Sequence, residues 1–339
     1  MTPQAPMPSP ARRTAGPDVD PQVDPDVNPH VDPQVDADVD PDVDSDVDPD
    51  VEIRTVAVGG VATKVALAGE GPALLLLHGF PHSWEVWRAV IGPLARHHRV
   101  IAPDMRWLRT GKAASVEEPT AQDYDAATLA RDAEGLLEAL GATGAAVAGI
   151  DAGAPAAFLL ALRRPDLVRR LVLMESLLGG LPTGGPGSEQ PAAGGPRWWF
   201  GFHSEPGLAE SVLTGHEDRY IGWFLDNGTL GRGVPSALRE AFIAAYTGED
   251  ALRRAFSYYR ALPSSARQIR DASMTARLTM PTMAIGAHPI GAALEQQLRP
   301  IADDLTGHVI EDCGHIIPLD RPDTLLALLQ PFLAADIAV

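Results

Sequence analysis

Three residues able to share one reaction stand far apart in the chain: Asp151, Glu175 and His315. Asp151 lies in Ala145-Ala146-Val147-Ala148-Gly149-Ile150-Asp151-Ala152-Gly153-Ala154-Pro155. The apolar run up to Gly149 reads as a buried strand, and an alanine-rich helical pattern follows Gly153, so one carboxylate sits on a tight strand-to-helix turn between two glycines. Glycine lets such a turn take strained angles without a Cβ clash, and the turn lifts the middle side chain out of the sheet. A carboxylate there is suited to attack an sp3 carbon, giving an alkyl ester that water must later cleave, with a histidine as base toward that water. Taken alone, an aspartate capping the following helix is the alternative reading of this turn.

The flanking elements are those that would position such groups. Ile53 to Val58 and Val61 to Ala68 alternate around Gly59-Gly60 and read as a hairpin, and Pro72 to Leu77 reads as a buried strand running into His78-Gly79-Phe80-Pro81. Ser83 caps an amphipathic helix carrying Trp84, Trp87, Val90 and Leu94, and Arg99 to Pro103 is a further strand. A helix is expected over Ala126 to Leu140, then the Asp151 turn, then a strand Leu167 to Met174 ending at Glu175-Ser176. Alternating strands and helices imply a parallel sheet covered on both faces, with function at the carboxyl ends of its strands, where His78, Asp104, Asp151 and Glu175 all fall.

The alternation then stops. Residues 177–194 are rich in glycine and proline, and 195–275 read as helices over Leu208 to Leu213, Glu217 to Leu225, Ser236 to Tyr246, Glu249 to Ala261 and Ser264 to Met274. Sheet patterning resumes with Pro281 to Gly286, a helix Ala292 to Ala302, a strand His308 to Ile310 and a last helix Thr324 to Leu333. The expected architecture is an α/β core from 53–176 and 276–339, an eight-stranded, mostly parallel sheet, with an inserted helical cap over 177–275.

The chain has 339 residues, 45% of them hydrophobic, enough for a full core. The single cysteine, Cys313, rules out an internal disulfide and a cysteine-cluster metal site. Met1-Thr2-Pro3-Gln4 opens no apolar leader and runs such as Ala73 to Leu77 are too short for a bilayer, so a soluble cytoplasmic protein without a membrane partner is expected. Residues 1–52 hold 13 aspartates and Glu52 against Arg12 and Arg13, which places −12 of the net −18 there and leaves −6 for the other 287 residues. With no basic stripe in the body, nucleic acid is not an expected partner.

The acidic excess belongs to a Pro-x-Val-Asp repeat over 17–52, in phase at Pro17, Pro21, Pro25, Pro29, Pro33, Pro41 and Pro49, with Ala37 and Ser45 in place of proline. Proline every fourth residue blocks helix and ladder, like charges repel, and lone valines offer little area against ordering entropy, so 1–52 reads as a disordered acidic tail. Calcium binding by its aspartates is the sharper alternative, against which prolines stand where calcium loops use glycine.

Asp151 on its elbow, Glu175, and His315 in the late Cys313-Gly314-His315-Ile316-Ile317-Pro318 with Arg321-Pro322 resemble, from about Glu52 to Leu333, the α/β-hydrolase fold. The aspartate, the cap and His78-Gly79-Phe80-Pro81 make the chain look like the epoxide hydrolase and haloalkane dehalogenase branch. The resemblance implies Asp151 as nucleophile, His315 as base in the second step, and the amides of Phe80 and Ala152 as an oxyanion hole. It implies no cofactor and no metal. The usual acid position after Met283 to Gly286 reads Ala287-His288-Pro289-Ile290-Gly291, without a carboxylate, so Glu175, the branch's alternative acid position, is expected to orient His315, with a turn cap as the bland alternative.

Dehalogenases of this branch carry tryptophan after the nucleophile, where this chain has Ala152, and often asparagine at the position of Phe80. Epoxide hydrolases use cap tyrosines to hold the epoxide oxygen, and Phe256-Ser257-Tyr258-Tyr259-Arg260-Ala261 resembles their second-tyrosine motif, pointing to Tyr259 as proton donor. The first donor falls in Arg197-Trp198-Trp199-Phe200-Gly201-Phe202-His203. Trp199 occupies the donor position, and an indole N–H polarises oxygen without releasing its proton, so Trp198 or Trp199 would assist Tyr259; His203, a helical turn further on, ranks below Trp199. Ile150 replaces the histidine that usually precedes the nucleophile, and Asp104-Met105-Arg106-Trp107-Leu108-Arg109-Thr110-Gly111 departs from the usual loop. A pocket of Phe80, Trp107, Trp198, Trp199, Tyr258 and Tyr259 suits a flat hydrophobic epoxide and looks most like enzymes of actinomycete aromatic-polyketide, kinamycin-type antibiotic pathways. A homodimer is compatible with this reading. A halide-releasing dehalogenase and a non-catalytic receptor on the same fold stay open.

Overall fold

The computed structural model describes residues 51–59, 61–109, 120–182 and 198–334. The expected acidic tail, apart from Val51 and Glu52, lies outside them, as does most of the glycine- and proline-rich stretch before the cap. The chain opens on β1 (Glu52–Val58), β2 (Val61–Ala68) and β3 (Ala73–Leu77), then a single turn Trp84–Trp87 leading into α1 (Arg88–Ala95) and β4 (Arg99–Pro103). Next come α2 (Ala126–Ala139), β5 (Ala145–Ile150), α3 (Gly153–Arg163) and β6 (Val168–Met174). Five helices follow, α4 (Trp198–Ser204), α5 (Leu208–Leu213), α6 (Glu217–Gly228), α7 (Ser236–Ala245) and α8 (Glu249–Ser273). The core closes with β7 (Thr282–Gly286), α9 (Ala293–Leu298), β8 (Leu305–Val309), α10 (Ile317–Asp320) and α11 (Pro322–Ala334).

The eight strands form one sheet in the order β1-β2-β4-β3-β5-β6-β7-β8. β2 runs antiparallel to both β1 and β4, and all other pairs are parallel. Every residue of β3, β5 and β7 is buried, as a strand covered on both faces requires, which is why these segments read as continuous apolar runs rather than alternating ones. α2 packs with α3 and α1 with α11. The fold is thus an α/β-hydrolase arrangement, a mixed, mostly parallel eight-stranded sheet with a helical insertion between β6 and β7.

Several boundaries differ from the sequence expectation, α8 most of all. The two helices expected over Glu249 to Ala261 and Ser264 to Met274 are one 25-residue helix, α8, with Pro263 inside it. A proline removes one ladder bond but does not end a helix whose two halves are both held by packing. Tyr258, Tyr259 and Ala261 before it and Ser265 and Ile269 after it are buried, and Ser265 Oγ and the Gln268 side-chain carbonyl accept the Ala126 and Ala127 amides at 3.0 Å each, capping α2. α9 ends at Leu298 rather than Ala302, and β8 covers Leu305–Val309 rather than His308 to Ile310. As the edge strand β8 has no fully buried residue, so its apolar residues carry little register information. Among the described residues no helix is long and apolar enough to cross a membrane.

Candidate active site

The elbow between β5 and α3 is built by close backbone approach. Asp151 stands at φ 51°, a left-handed conformation for a non-glycine residue. A Cβ at Gly149 would lie 2.6 Å from the Gly153 carbonyl oxygen, one at Gly153 would lie 2.3 Å from the Leu77 carbonyl oxygen, and one at Gly79 would lie 2.4 Å from Asp151 Cβ. Only glycine fits at these positions, so the small residues read from the sequence are what allow the turn to sit against the end of β3.

The two oxygens of Asp151 have different partners. Oδ1 accepts the backbone amides of Phe80 at 3.1 Å and Ala152 at 2.6 Å, and Oδ2 faces His315 Nε2 at 2.9 Å. Burial works against the ionised carboxylate, but the His315 hydrogen bond and charge and the two amides outweigh it and hold Asp151 below the usual carboxylate range.

Glu175 follows β6 at φ 43° with its side chain fully enclosed. Its Oε2 lies 3.1 Å from His315 Nδ1, and its Oε1 accepts the amide of Ala287, the residue after β7. The position that lacks a carboxylate of its own therefore serves as a backbone clamp on the carboxylate supplied by β6. Burial disfavours the His315 cation, yet hydrogen bonds to Asp151 and Glu175 overcome that and raise it to about 10. Both ring nitrogens then donate, one to each carboxylate. Among the described residues no His, Cys, Asp and Glu side chains cluster in a way that could hold a metal ion.

Aromatic rings of the helical insertion meet Phe80, whose amide faces Asp151. Phe80 meets the rings of Tyr246, Phe224, His203 and Tyr259 edge-on at 5.2, 5.4, 5.5 and 5.7 Å. Tyr258 and Tyr259, adjacent on α8, both feel the Asp151 carboxylate, and burial with that charge keeps both hydroxyls protonated. Neither hydroxyl bonds to another described residue. Among the described residues they are unengaged donors within the field of Asp151.

The structure orders the α4 candidates differently from the sequence. Trp198 is 50% exposed and its ring neighbours, Trp199, Phe202, Tyr220 and Trp223, all belong to the helical insertion. Trp199 is half-buried against Trp198, Phe200, Trp223 and Phe224. His203, fully buried, is the α4 residue that reaches Phe80 and, at 4.3 Å between ring centres, Tyr259. One helical turn separates Trp199 from His203, and it is the later turn that reaches the loop after β3. Burial, with the nearby Arg260 cation, pushes His203 down to about 3, so its ring is neutral, with Nε2 2.5 Å from the Tyr220 hydroxyl.

Trp107 is buried with its N–H already used, donating to the Tyr246 hydroxyl at 3.0 Å, and its ring lies against His78 and Tyr258. The Tyr246 hydroxyl in turn donates to the His82 carbonyl at 2.7 Å, tying the insertion to the loops after β3 and β4. Sequence reasoning missed Tyr246, Tyr220 and His82. Their partners lie far along the chain, and no local spacing announces them. His78 and Asp104, also at strand ends, are structural. His78 uses both nitrogens, on the Gly79 carbonyl and the Met105 amide, and Asp104 accepts the Trp84 amide.

A family model of the α/β hydrolase fold matches residues 72–205. The chain is 30% identical over 284 residues to the soluble epoxide hydrolase of Corynebacterium sp. strain C12, spanning 81% of this chain and 96% of that one. It is 26% identical over 333 residues to epoxide hydrolase B of Mycobacterium tuberculosis, with 78% and 92% covered. The solved structure of the epoxide hydrolase CorEH without ligand superposes with a TM-score of 0.75 at 26% identity, covering 84% of this chain and 99% of that one.

Proposed function

Because the chain belongs to the epoxide hydrolase family of the α/β-hydrolase fold, we propose that it opens an epoxide to a vicinal diol through a covalent ester on Asp151. The observation that carries this reading is the division of labour at Asp151, with Oδ1 held by two amides and Oδ2 left toward His315. Oδ2 attacks an epoxide carbon, the ring C–O pair moves onto the epoxide oxygen, and Tyr259 gives that oxygen its proton. A phenol whose own affinity for the proton is raised still yields it to an alkoxide, the stronger base.

In the ester Asp151 has no charge, so His315 loses one of the two carboxylates that supported its cation, gives its Nε2 proton to the Tyr259 phenolate, and as a neutral ring can take a proton from water. That water adds to Cγ, and the resulting oxyanion is Oδ1, already between the Phe80 and Ala152 amides, donors worth roughly 2.7–4 kcal/mol each in such holes. Collapse releases the diol through Oδ2, protonated from His315, and the proton left on the carboxyl passes to His315, restoring its cation between the two carboxylates. Glu175 keeps the His315 ring in place throughout. The helices between β6 and β7 serve as a cap over 177–275 on the 53–176 and 276–339 core.

For substrate we propose a flat, hydrophobic epoxide of the polycyclic aromatic natural-product class. Tyr258 and Tyr259 lie within the field of the Asp151 carboxylate, Phe80 meets Tyr259 edge-on and Trp107 lies against Tyr258, and Ala152 offers no indole to hold a departing halide. The test is His315→Gln incubated with an epoxide that the wild type converts. The variant is expected to accumulate an adduct of substrate mass on the Asp151 peptide, and Asp151→Ala to show none. Halide release from haloalkanes without diol from epoxides would overturn the reading.

A further inference from the structure

One buried histidine takes no part in the Asp151–His315–Glu175 chain. His82 is 1% exposed, and among the described residues neither of its ring nitrogens has a hydrogen-bond partner. Its backbone is fixed, with the amide donating to the Gly79 carbonyl at 3.1 Å and the carbonyl accepting the Tyr246 hydroxyl at 2.7 Å. The ring meets Phe242 of α7 edge-on at 5.6 Å, an apolar contact that satisfies neither nitrogen. An imidazole enclosed in this way ordinarily finds protein or an ordered water for both positions.

The surroundings indicate where that water belongs. His82 follows the loop that carries Phe80, and the turn Trp84–Trp87 just after it packs against α10, just after His315, so the two loops run side by side. Among the described residues, Asp151, His315 and His78 are the charged or titratable groups whose fields act on the ring. His78 has both nitrogens occupied. Burial pushes His82 down to about 3, which leaves a neutral ring with one donor and one acceptor.

We propose that His82 positions the hydrolytic water of the second half-reaction, its unprotonated nitrogen accepting one O–H of the water while the other O–H points to His315 Nε2. With both hydrogens engaged, a lone pair of the water is left for Cγ of the Asp151 ester. The water oxygen bonds to Cγ, the carbonyl pair moves to Oδ1, and the proton goes to His315. His82 keeps its own proton and is a positioning residue. The inference rests on the covalent mechanism above, and it separates the two half-reactions, because ester formation needs no water.

Single-turnover mixing with styrene oxide, quenched at intervals and read by the mass of the Asp151 peptide, measures both steps. His82→Leu is expected to form the ester within about twofold of the wild-type rate and to lose it at least about tenfold more slowly, so that kcat and KM fall together and kcat/KM holds. His82→Gln, which keeps a donor and an acceptor, is expected to restore most of the ester decay. Unchanged decay in His82→Leu, or equal slowing of both steps as a packing defect would give, overturns the role of His82 alone. Absence of any ester in His315→Gln under the same conditions overturns the covalent mechanism itself, and the role of His82 with it.

Discussion

Nε2 of His315 lies 2.9 Å from Oδ2 of Asp151, the oxygen that the Phe80 and Ala152 amides leave uncovered. The carboxylate is therefore presented with its two oxygens already assigned, one to leave with the product and one to carry the tetrahedral charge. In a single turnover in 18O-labelled water the first diol is expected to carry unlabelled oxygen from Oδ2, with the label appearing in Asp151. Label in the first diol would mean direct attack by water.

The same contact sets a pH dependence. His315 is raised from 6.5 to about 10 in the folded protein, so it binds its proton more tightly folded than unfolded. Its contribution to stability is fully present below pH 6.5 and is lost as pH rises toward 10. Urea midpoints measured at pH 6 and pH 10 are expected to fall for the wild type and to fall less for His315→Gln. In the ester the Asp151 charge is gone, so the acid limb of kcat is expected to report a His315 titrating below its free-enzyme value. A wild-type midpoint that does not change between the two pH values would refute the raised proton affinity.

Tyr259 and Trp199 are separated by what surrounds them. Tyr259 lies within the field of the Asp151 charge with a hydroxyl unengaged among the described residues, whereas Trp199 is packed among aromatic residues of the insertion. Tyr259→Phe is expected to slow ester formation by about 10²-fold or more, the usual scale for losing a general acid, and Trp199→Phe to stay within a few-fold of wild type. Single-turnover rates measure both, and a larger loss in Trp199→Phe would restore the sequence-based order.

What was legible in the sequence was local. The elbow is announced by Gly149 and Gly153: the close approach that forces glycine at Gly149 is to Gly153 itself, four residues on, while the one at Gly153 is to the Leu77 carbonyl at the end of β3. Buried parallel strands are announced by unbroken apolar runs. Glu175 could be reached because the loop after β7 has no carboxylate to compete with it. What stayed hidden depends on the direction of a face or on partners brought together by the fold. Trp199 and His203 differ by one helical turn, and only packing against Phe80 and Tyr259 decides between them. Pro263 reads as a helix end until Ser265 and Gln268 are seen holding α2. Tyr246 carries no local signal at all, because its partners are 139 and 164 residues away.

That tyrosine supplies the last prediction. Its hydroxyl accepts from Trp107 at 3.0 Å and donates to the His82 carbonyl at 2.7 Å, and the whole side chain is buried. Tyr246→Phe preserves the ring against Phe80 but leaves one buried N–H and one buried C=O unmet, each costing about 1–3 kcal/mol. Because Trp107 and His82 sit on the loops after β4 and β3, the loss is expected to loosen the insertion over the site as well as the fold. Denaturant titration should show a stability loss of about 2 kcal/mol or more with an unchanged m-value, together with a raised KM. A loss below about 0.5 kcal/mol would mean that water replaces the hydroxyl without penalty, and that the insertion is held to the core by its apolar contacts alone.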